Sequence, residues 1–323
     1  MSEKEEDLKK KKRIILFLLI FVLLMGTCSA GIQIVAKNIN GSVSGRSRVF
    51  ASVSAEKKHT IDLLVAGDSE SYTSVSPMDL WDKTGIAAYD CGQPGQRIQE
   101  TYYVLKTAFR TQSPKMVLLE TNTMFRDPGF LKNLQMSLTE PLSYYFPIFK
   151  FHNAWKALFD GPGILQNAYK GFEIRNKVVS YEGDEEYMKE TKDKTDIPEV
   201  VRIYMEKIRN LCRKNGAELV LMSAPSPKNY DYKKHNALEE YAKEKDLPYI
   251  DLNLKYRDIG IDWKKDSYDK GDHLNILGAR KVTDYMGKYL QENYGLPDRR
   301  GDDGWKDWHE LARQYFEELK KKI

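Results

Sequence analysis

The sequence predicts an α/β fold, a three-layer sandwich built around a parallel sheet. Two observations carry this. Short apolar runs recur at Ile61–Ala66, Ile86–Cys91, Met116–Thr121, Glu218–Ser223 and Tyr249–Leu252, each of strand length and apolar enough to be buried on both faces. Amphipathic stretches lie between them, at Ile98–Phe109, Val200–Arg213 and Ala237–Lys245. Strands that alternate with helices pair in parallel, and the crossover helices cover both faces of the sheet.

The remaining elements follow from local pattern. Tyr72–Trp81, after the first strand, reads as a helix. A closing helix fits Ile276–Tyr289, where Val282, Tyr285, Met286, Tyr289 and Leu290 mark one face at helical spacing. Asn275 is its natural N-cap. Gly301–Ile323 reads as an amphipathic surface helix. Residues 127–197 break the alternation with an aromatic-rich part (Tyr144, Tyr145, Phe146, Phe149, Phe151, Trp155) and the charged run "EGDEEYMKETKDKTD". We read this segment as an insertion between the third and fourth strands, over the carboxyl edge of the sheet. Its portion from Tyr181 to Asp196 is expected to be a partly disordered surface excursion. No internal repeat is found.

The N-terminus has a different character. Lys9, Lys10, Lys11, Lys12 and Arg13 precede Ile14–Ala36, which carries no charged residue and opens "IILFLLIFVLLM". A helix needs about 20 apolar residues to cross a bilayer, and basic residues before a span keep that end in the cytoplasm. Residues 1–13 are therefore expected to be a cytoplasmic tail and 14–36 a signal-anchor transmembrane helix. Residues 37–60, rich in Ser, Gly and Asn, then form a stalk, and 61–323 an extracytoplasmic domain. The competing readings are cleavage at "TCSAG" (Thr27–Gly31) and lipidation at Cys28, which Leu24 and Thr27 fit poorly.

Composition narrows the class. The 323 residues are 41% hydrophobic and 30% charged, enough to bury a large core. The net charge of +4 resides largely in the N-terminal cluster, and no basic stripe interleaved with aromatics follows, so no nucleic-acid partner is expected. Cys28, Cys91 and Cys212 make no disulfide framework, and Cys91 and Cys212 read as buried thiols. With no CxxC and five scattered histidines, neither a metal nor an organic cofactor is expected.

Ligands of an open parallel sheet bind beyond the carboxyl ends of its strands, near the switch in strand order. The first strand end gives Gly67-Asp68-Ser69, the second "CGQPGQRI" with Gly92 and Gly95, and the third "LLETNTMF" with Asn122. The loop before the closing helix gives "SYDKGDHLNILGA" with Asp269, Asp272 and His273. These residue types suit acyl transfer. A serine hydroxyl attacks a carbonyl only when a base takes its proton, and histidine titrates near working pH. A carboxylate orients the imidazole. The oxyanion needs donors, here the N–H groups of Ser69 and Gly95 and the Asn122 amide. His235 in "KKHN" is the rival base and Ser71 the rival nucleophile.

This order of Ser69 in "GDS", Gly95, Asn122 and His273 resembles the SGNH/GDSL hydrolase superfamily over roughly residues 62–290. The "SAPSPKNYDYKKHN" and "DHLNILGA" segments further resemble membrane-anchored bacterial members related to cell-surface polysaccharide O-acetylation and teichoic-acid D-alanylation proteins. Glu120 stands where the family has glycine, and Lys270 where it has the aspartate of Asp-x-x-His. Asp269 and Asp272 are thus both candidates to orient His273, Asp269 slightly preferred by its reach across a Lys270-Gly271 turn. The resemblance implies a flavodoxin-like sheet and a bacterial membrane location. It also implies a serine acyl-esterase or O-acyltransferase acting on a cell-envelope glycan or teichoic-acid-like polymer. The alternatives are a non-catalytic glycan-binding scaffold that partners an integral-membrane O-acyltransferase, and a secreted lipase-like esterase.

Overall fold

A computed structural model describes residues 3–39, 41–161 and 168–323. Residues 1–2 of the basic tail, 40 of the stalk and 162–167 of the insertion lie outside the described residues. The strands are β1 (Leu63–Ala66), β2 (Ala88–Asp90), β3 (Met116–Glu120), β4 (Glu218–Ser223) and β5 (Tyr249–Asp251). Before β1 come α1 (Glu3–Asn38) and α2 (Arg48–Ala55), and between β1 and β2 come α3 (Ser69–Tyr72) and α4 (Pro77–Thr84). Helix α5 (Ile98–Ala108) joins β2 to β3. Between β3 and β4 lie α6 (Phe130–Tyr145), α7 (Ile148–Phe151), α8 (Ala157–Asp160) and α9 (Glu199–Lys214). Helix α10 (Tyr232–Lys245) leads to β5, and α11 (Tyr256–Ile259), α12 (Ile276–Tyr294) and α13 (Lys306–Lys322) complete the chain.

All the strand pairs are parallel and the sheet order is β2-β1-β3-β4-β5, the flavodoxin-like arrangement. Side chains alternate across the sheet with the period of two that a strand imposes. Leu64, Ala66, Val117, Leu119, Leu219 and Leu221 point to one layer, where Val104 and Leu105 of α5, Met205 and Ile208 of α9 and Leu238 of α10 cover them. Leu63, Val65, Met116, Leu118, Val220 and Met222 point to the other, under Leu80 of α4 and Val282, Met286 and Leu290 of α12. Burial on both faces is why these runs are apolar throughout rather than alternating. The strand order reverses between β1 and β3, so the crevice at their carboxyl ends receives Ser69 and Asn122.

Four expectations need correction. The helix expected over Tyr72–Trp81 is two helices. Pro77 disfavours helical geometry at Ser76 and instead opens α4 at its first turn, with the Ser76 hydroxyl accepting from the Asp79 N–H at 3.2 Å. The stalk contains α2, whose Val49, Phe50, Ala51 and Val53 are buried in the main core. The stretch from Tyr181 to Asp196 is the expected surface excursion, mostly exposed and without regular secondary structure, but it is pinned to the domain at several points. Tyr181 and Tyr187 meet Trp263 edge-on, and the Asn236 amide donates to the carbonyls of Thr191 and Asp193. Finally, the insertion divides. Its first half packs on α5 and α1, and its second half reaches the carboxyl edge, where Lys170 bonds to Asp90 at the end of β2, Arg175 to the start of α12, Val179 to the loop before it, and Tyr187 to Asn253 just past β5.

Asn275 caps α12 as expected, accepting from the N–H groups of Leu277 and Gly278 at 3.0 and 3.2 Å. Helix α13 buries Trp308, Ala312, Tyr315 and Leu319 against α4, with the Trp308 ring tilted by 39° at 5.2 Å from that of Trp81. Cys91 and Cys212 are buried and free. Among the described residues, one helix is long and apolar enough to span a membrane or act as a signal anchor, at Lys4–Asn38.

Candidate active site

Ser69 opens α3 directly after β1. Gly67 makes the sharp exit possible: a Cβ there would lie 2.8 Å from Cβ of Glu120 on the adjacent strand. The Asp68 side chain then caps the turn, accepting from the Glu70 N–H at 3.0 Å. Ser69 is nearly buried, with its hydroxyl directed at His273.

His273 arrives on the loop before α12. Its Nε2 lies 2.8 Å from Ser69 Oγ and its Nδ1 lies 2.7 Å from Asp269 Oδ2. The other Asp269 oxygen accepts the His273 backbone N–H at 2.7 Å. An ionised Asp269 accepts a hydrogen bond from Nδ1–H, which leaves Nε2 as the acceptor for the serine hydroxyl. Burial alone would raise the Asp269 carboxyl, but the hydrogen bonds from the His273 ring and backbone, with the nearby Arg175 charge, hold it below its ordinary value. The loop reaches this shape because Lys270 and Gly271 take left-handed φ values of 62° and 83°. That pair of residues turns Asp269 back onto the imidazole.

Asp272 takes a different place. Its Oδ2 stands 3.9 Å from His273 Nδ1, beyond hydrogen-bond reach, and its Oδ1 accepts from the Asn229 amide at 2.6 Å. The same amide reaches Glu70 Oε1 at 2.5 Å. Burial, and then the neighbouring Asp68, Glu120 and Asp272 charges, push the Glu70 carboxyl well above its ordinary range. Glu70, Asp272 and His273 each offer a ligand atom within 4.8 Å of the others. However, both ring nitrogens of His273 already face Ser69 and Asp269, and Asn229 bridges the two carboxyls.

Asn122 follows β3, and its amide donates to Asp68 Oδ2 at 2.9 Å, which leaves a second N–H. Arg126 forms an ion pair with the same carboxylate oxygen. Glu120, standing in the glycine position of the resemblance, turns beneath the strand end. It accepts from the Asn122 N–H at 3.0 Å and the Tyr230 hydroxyl at 2.7 Å, and burial followed by the Asp68 charge raises its carboxyl. Gly95 lies in the loop after β2. Arg46 donates to the carbonyls of Pro94 and Gly95 from one side, and Thr123 donates to that of Gln96 from the other.

The structure thus brings Ser69, His273 and Asp269 into one hydrogen-bonded chain and sets Asp272 beside it. The rivals make other contacts. Ser71 donates to the Asp68 carbonyl and to Asp90 at 2.9 and 3.0 Å in the core. His235 pairs with Asp251 at 2.8 Å, at the end of β5. Sequence reasoning did not single out Arg126, Asn229, Tyr230, Glu70 or Arg175 individually. Only the resemblance of the "SAPSPKNYDYKKHN" segment, which holds Asn229 and Tyr230, pointed toward any of them.

No family model matches the chain, and no curated protein matches it. Solved structures do. A candidate acylhydrolase from Bacteroides fragilis NCTC 9343 is 12% identical with a TM-score of 0.40, over 77% of this chain and 99% of that one. A GDSL-like lipase from Bacteroides thetaiotaomicron VPI-5482 is 12% identical with a TM-score of 0.40, over 76% and 98%. An acetyl xylan esterase is 14% identical with a TM-score of 0.24, over 71% and 99%. These scores are low, and the assignment of the fold rests on the strand order of this chain itself.

Proposed function

We propose that this chain is a serine acyl-esterase or O-acyltransferase of the SGNH/GDSL type, working outside the cytoplasmic membrane. The observation that carries the reading is the continuous contact from Ser69 Oγ through His273 to Asp269. In the proposed reaction Nε2 of His273 takes the hydroxyl proton as Oγ forms a bond to an ester carbonyl carbon. The carbonyl oxygen becomes an oxyanion facing the N–H groups of Ser69 and Gly95 and the second amide proton of Asn122. One such donor is worth about 3 kcal/mol. Asp269 stabilises the imidazolium. Collapse breaks the ester C–O bond, and the leaving alkoxide takes the proton from Nε2. A water or an acceptor hydroxyl then enters by the reverse steps and frees Ser69.

Two features support a cell-envelope polymer as substrate. The charge-free span of α1 follows a basic cluster, which favours an N-terminus inside and a domain outside. A cleft of about 510 Å3, lined among others by Arg48, Tyr72, Pro94, Tyr169, Arg175 and Lys322, adjoins both the Gly95 loop and α3. Its aromatic faces suit a hydroxyl-rich glycan, while Glu173 and Glu318, which also line it, pair with Arg175 and Lys322 and leave the cleft of mixed charge. An integral-membrane O-acyltransferase is the partner such a reaction would call for if the acyl group comes from within the cell.

A fluorophosphonate probe applied to the membrane-bound protein tests the chemistry. Ser69 is expected to be labelled, and Ser69→Ala to lose both labelling and several powers of ten in hydrolysis of a small acetyl ester, with thermal unfolding nearly unchanged. An unlabelled Ser69 with no hydrolysis above background in the parent would leave the glycan-binding scaffold as the better reading, and a rate unchanged by Ser69→Ala would place the chemistry on another group.

A further inference from the structure

The first half of the insertion carries an apolar surface that the domain does not cover. On α6, Phe130, Leu131, Leu134, Leu138 and Leu142 are all exposed, Leu131 by 78% and Leu138 by 65%. At 100° per residue the last four form one stripe along the helix. Met136, the one buried residue of α6, lies on roughly the opposite side, facing α5. Helix α6 is thus docked by its polar and Met136 side and presents its leucines outward. After it in the chain, Phe149, Trp155 and Phe159 are exposed as well. Lys132 and Lys156 flank it and are exposed. So extensive an exposed apolar surface on a domain marks an interaction site.

Its position identifies what it meets. Helix α1 is exposed from Ile14 to Leu24, but its last turns bury Ser29, Ile32 and Ala36 against α7 and the turn after it. The Ile148 N–H approaches the Ser29 hydroxyl at 3.4 Å. At 1.5 Å per residue Ser29 stands about 22 Å beyond Ile14, whereas the hydrocarbon core is about 30 Å thick. If the apolar span begins at Ile14, just after the basic cluster, Ser29 is still inside the core, about 8 Å short of its outer boundary. Helix α7, packed at the level of Ser29, is at that depth too, and α6 packs against α7. That is the depth at which an interfacial amphipathic helix seats its apolar face.

We infer that α6, α7 and the Trp155–Phe159 segment sit in the outer leaflet beside α1, so that the domain rides on the bilayer through a second, monotopic contact. The occupant of the leucine stripe is lipid: acyl chains against Leu131, Leu134 and Leu138, with Lys132 and Lys156 reaching back to headgroup phosphates. This rests on the reading of α1 as a membrane anchor. The contact would hold the domain in one orientation. Arg46 and α2 tie the membrane-proximal segment to the Gly95 loop and α5, so the Ser69 rim would keep a constant height above the surface.

Spin labels test it on the full chain, in vesicles of phosphatidylglycerol and phosphatidylethanolamine with at most one copy per vesicle. Cysteines are placed singly at Leu134, Leu138, Ile20 and Glu240 in a Cys28→Ser background; the native Cys91 and Cys212 are buried. All four positions are exposed, so no core is disturbed. The expected result is that labels at 134 and 138 resemble the one at 20. Oxygen relaxes them several-fold more, relative to a water-soluble nickel chelate, than it relaxes the label at 240. If 20 is lipid-like while 134 and 138 behave like 240, the anchor stands and the inference is overturned; the stripe then belongs to a protein partner missing from the vesicles. Dipolar broadening between copies at 134 or 138 in more crowded vesicles, absent at one copy, together with water-like labels at one copy, would assign the stripe to a second copy and overturn it as well. A water-like label at 20 would remove the anchor and the inference with it.

Discussion

The fold contains two aspartate–histidine pairs of nearly the same geometry, at opposite ends of the catalytic question. His273 Nδ1 meets Asp269 at 2.7 Å, and His235 Nδ1 meets Asp251 at 2.8 Å. Both sit at the carboxyl edge of the sheet. In the first pair the far ring nitrogen faces a serine hydroxyl on a strand-to-helix turn, at the switch between β1 and β3. In the second, the ring is packed between Tyr232 and Tyr249 at the edge strand β5, with a hydrogen bond that raises its pKa and burial opposing it. An Asp–His pair is therefore no sign of catalysis by itself. Position relative to the switch point, and a nucleophile on the second nitrogen, distinguish the two.

The comparison can be broken most decisively at its aspartates. Asp269→Asn is expected to cost roughly 10⁴-fold in turnover of an acetyl ester, because an amide holds the imidazole in the wrong tautomer. Its thermal midpoint should change much less. Asp251→Asn should do the reverse, removing about 1–3 kcal/mol of stability by spoiling a buried hydrogen bond while leaving turnover near that of the parent. Steady-state kinetics and thermal melts on the two variants decide it. Equal turnover losses would show that the pairs are not functionally distinct.

Asp272→Asn sharpens the first pair further. Asp272 sits at 3.9 Å from the ring and is held by Asn229, so its loss should slow turnover by less than about tenfold, the level expected of a group outside the reacting chain. A loss matching that of Asp269→Asn would mean that the carboxylates exchange places during the reaction.

How much of this was legible before the structure depends on how local each signal is. The five strands were legible within one to two residues at most ends because burial on both faces leaves an apolar run with few polar interruptions. The Ser69, Asn122 and His273 positions were legible because each follows a strand or precedes a helix, where turn chemistry shows in the sequence. The choice between Asp269 and Asp272 was not settled there, since it depends on a left-handed φ at Lys270, a residue with no intrinsic preference for it. Helix α2 was hidden because its serines gave a loop-like composition, while Val49, Phe50 and Val53 find their partners far along the chain. The supporting shell was hidden for the same reason. Arg126 on Asp68, Tyr230 on Glu120 and Asn229 between Glu70 and Asp272 join residues 43 to 159 positions apart, and no local pattern encodes such meetings. The irregular stretch 181–196 looked disordered by charge alone, yet a few aromatics packed on Trp263 order it.

The smallest expected effect concerns how the second pair responds to pH. The Asp251 hydrogen bond raises His235 above its ordinary value of about 6.5. Below that ordinary value the histidine is protonated in the folded and unfolded states alike, and the stabilisation is complete. As pH rises through the higher folded value, the folded protein gives up the proton and the stabilisation fades. The stability gap between the parent and His235→Gln should therefore be largest near pH 5.5 and narrow toward pH 8, by under about 1 kcal/mol. Asp269 has the opposite sign. Its folded value lies below the ordinary carboxylate value of about 3.9, so its own contribution is complete above that and fades only as pH falls through the folded value. Denaturant melts of the parent and His235→Gln at pH 5.5, 6.5 and 8 measure the gap directly. A gap that widens with pH would mean that the folded protein holds His235 neutral, and that Asp251 serves it as a hydrogen-bond acceptor rather than as a counter-charge.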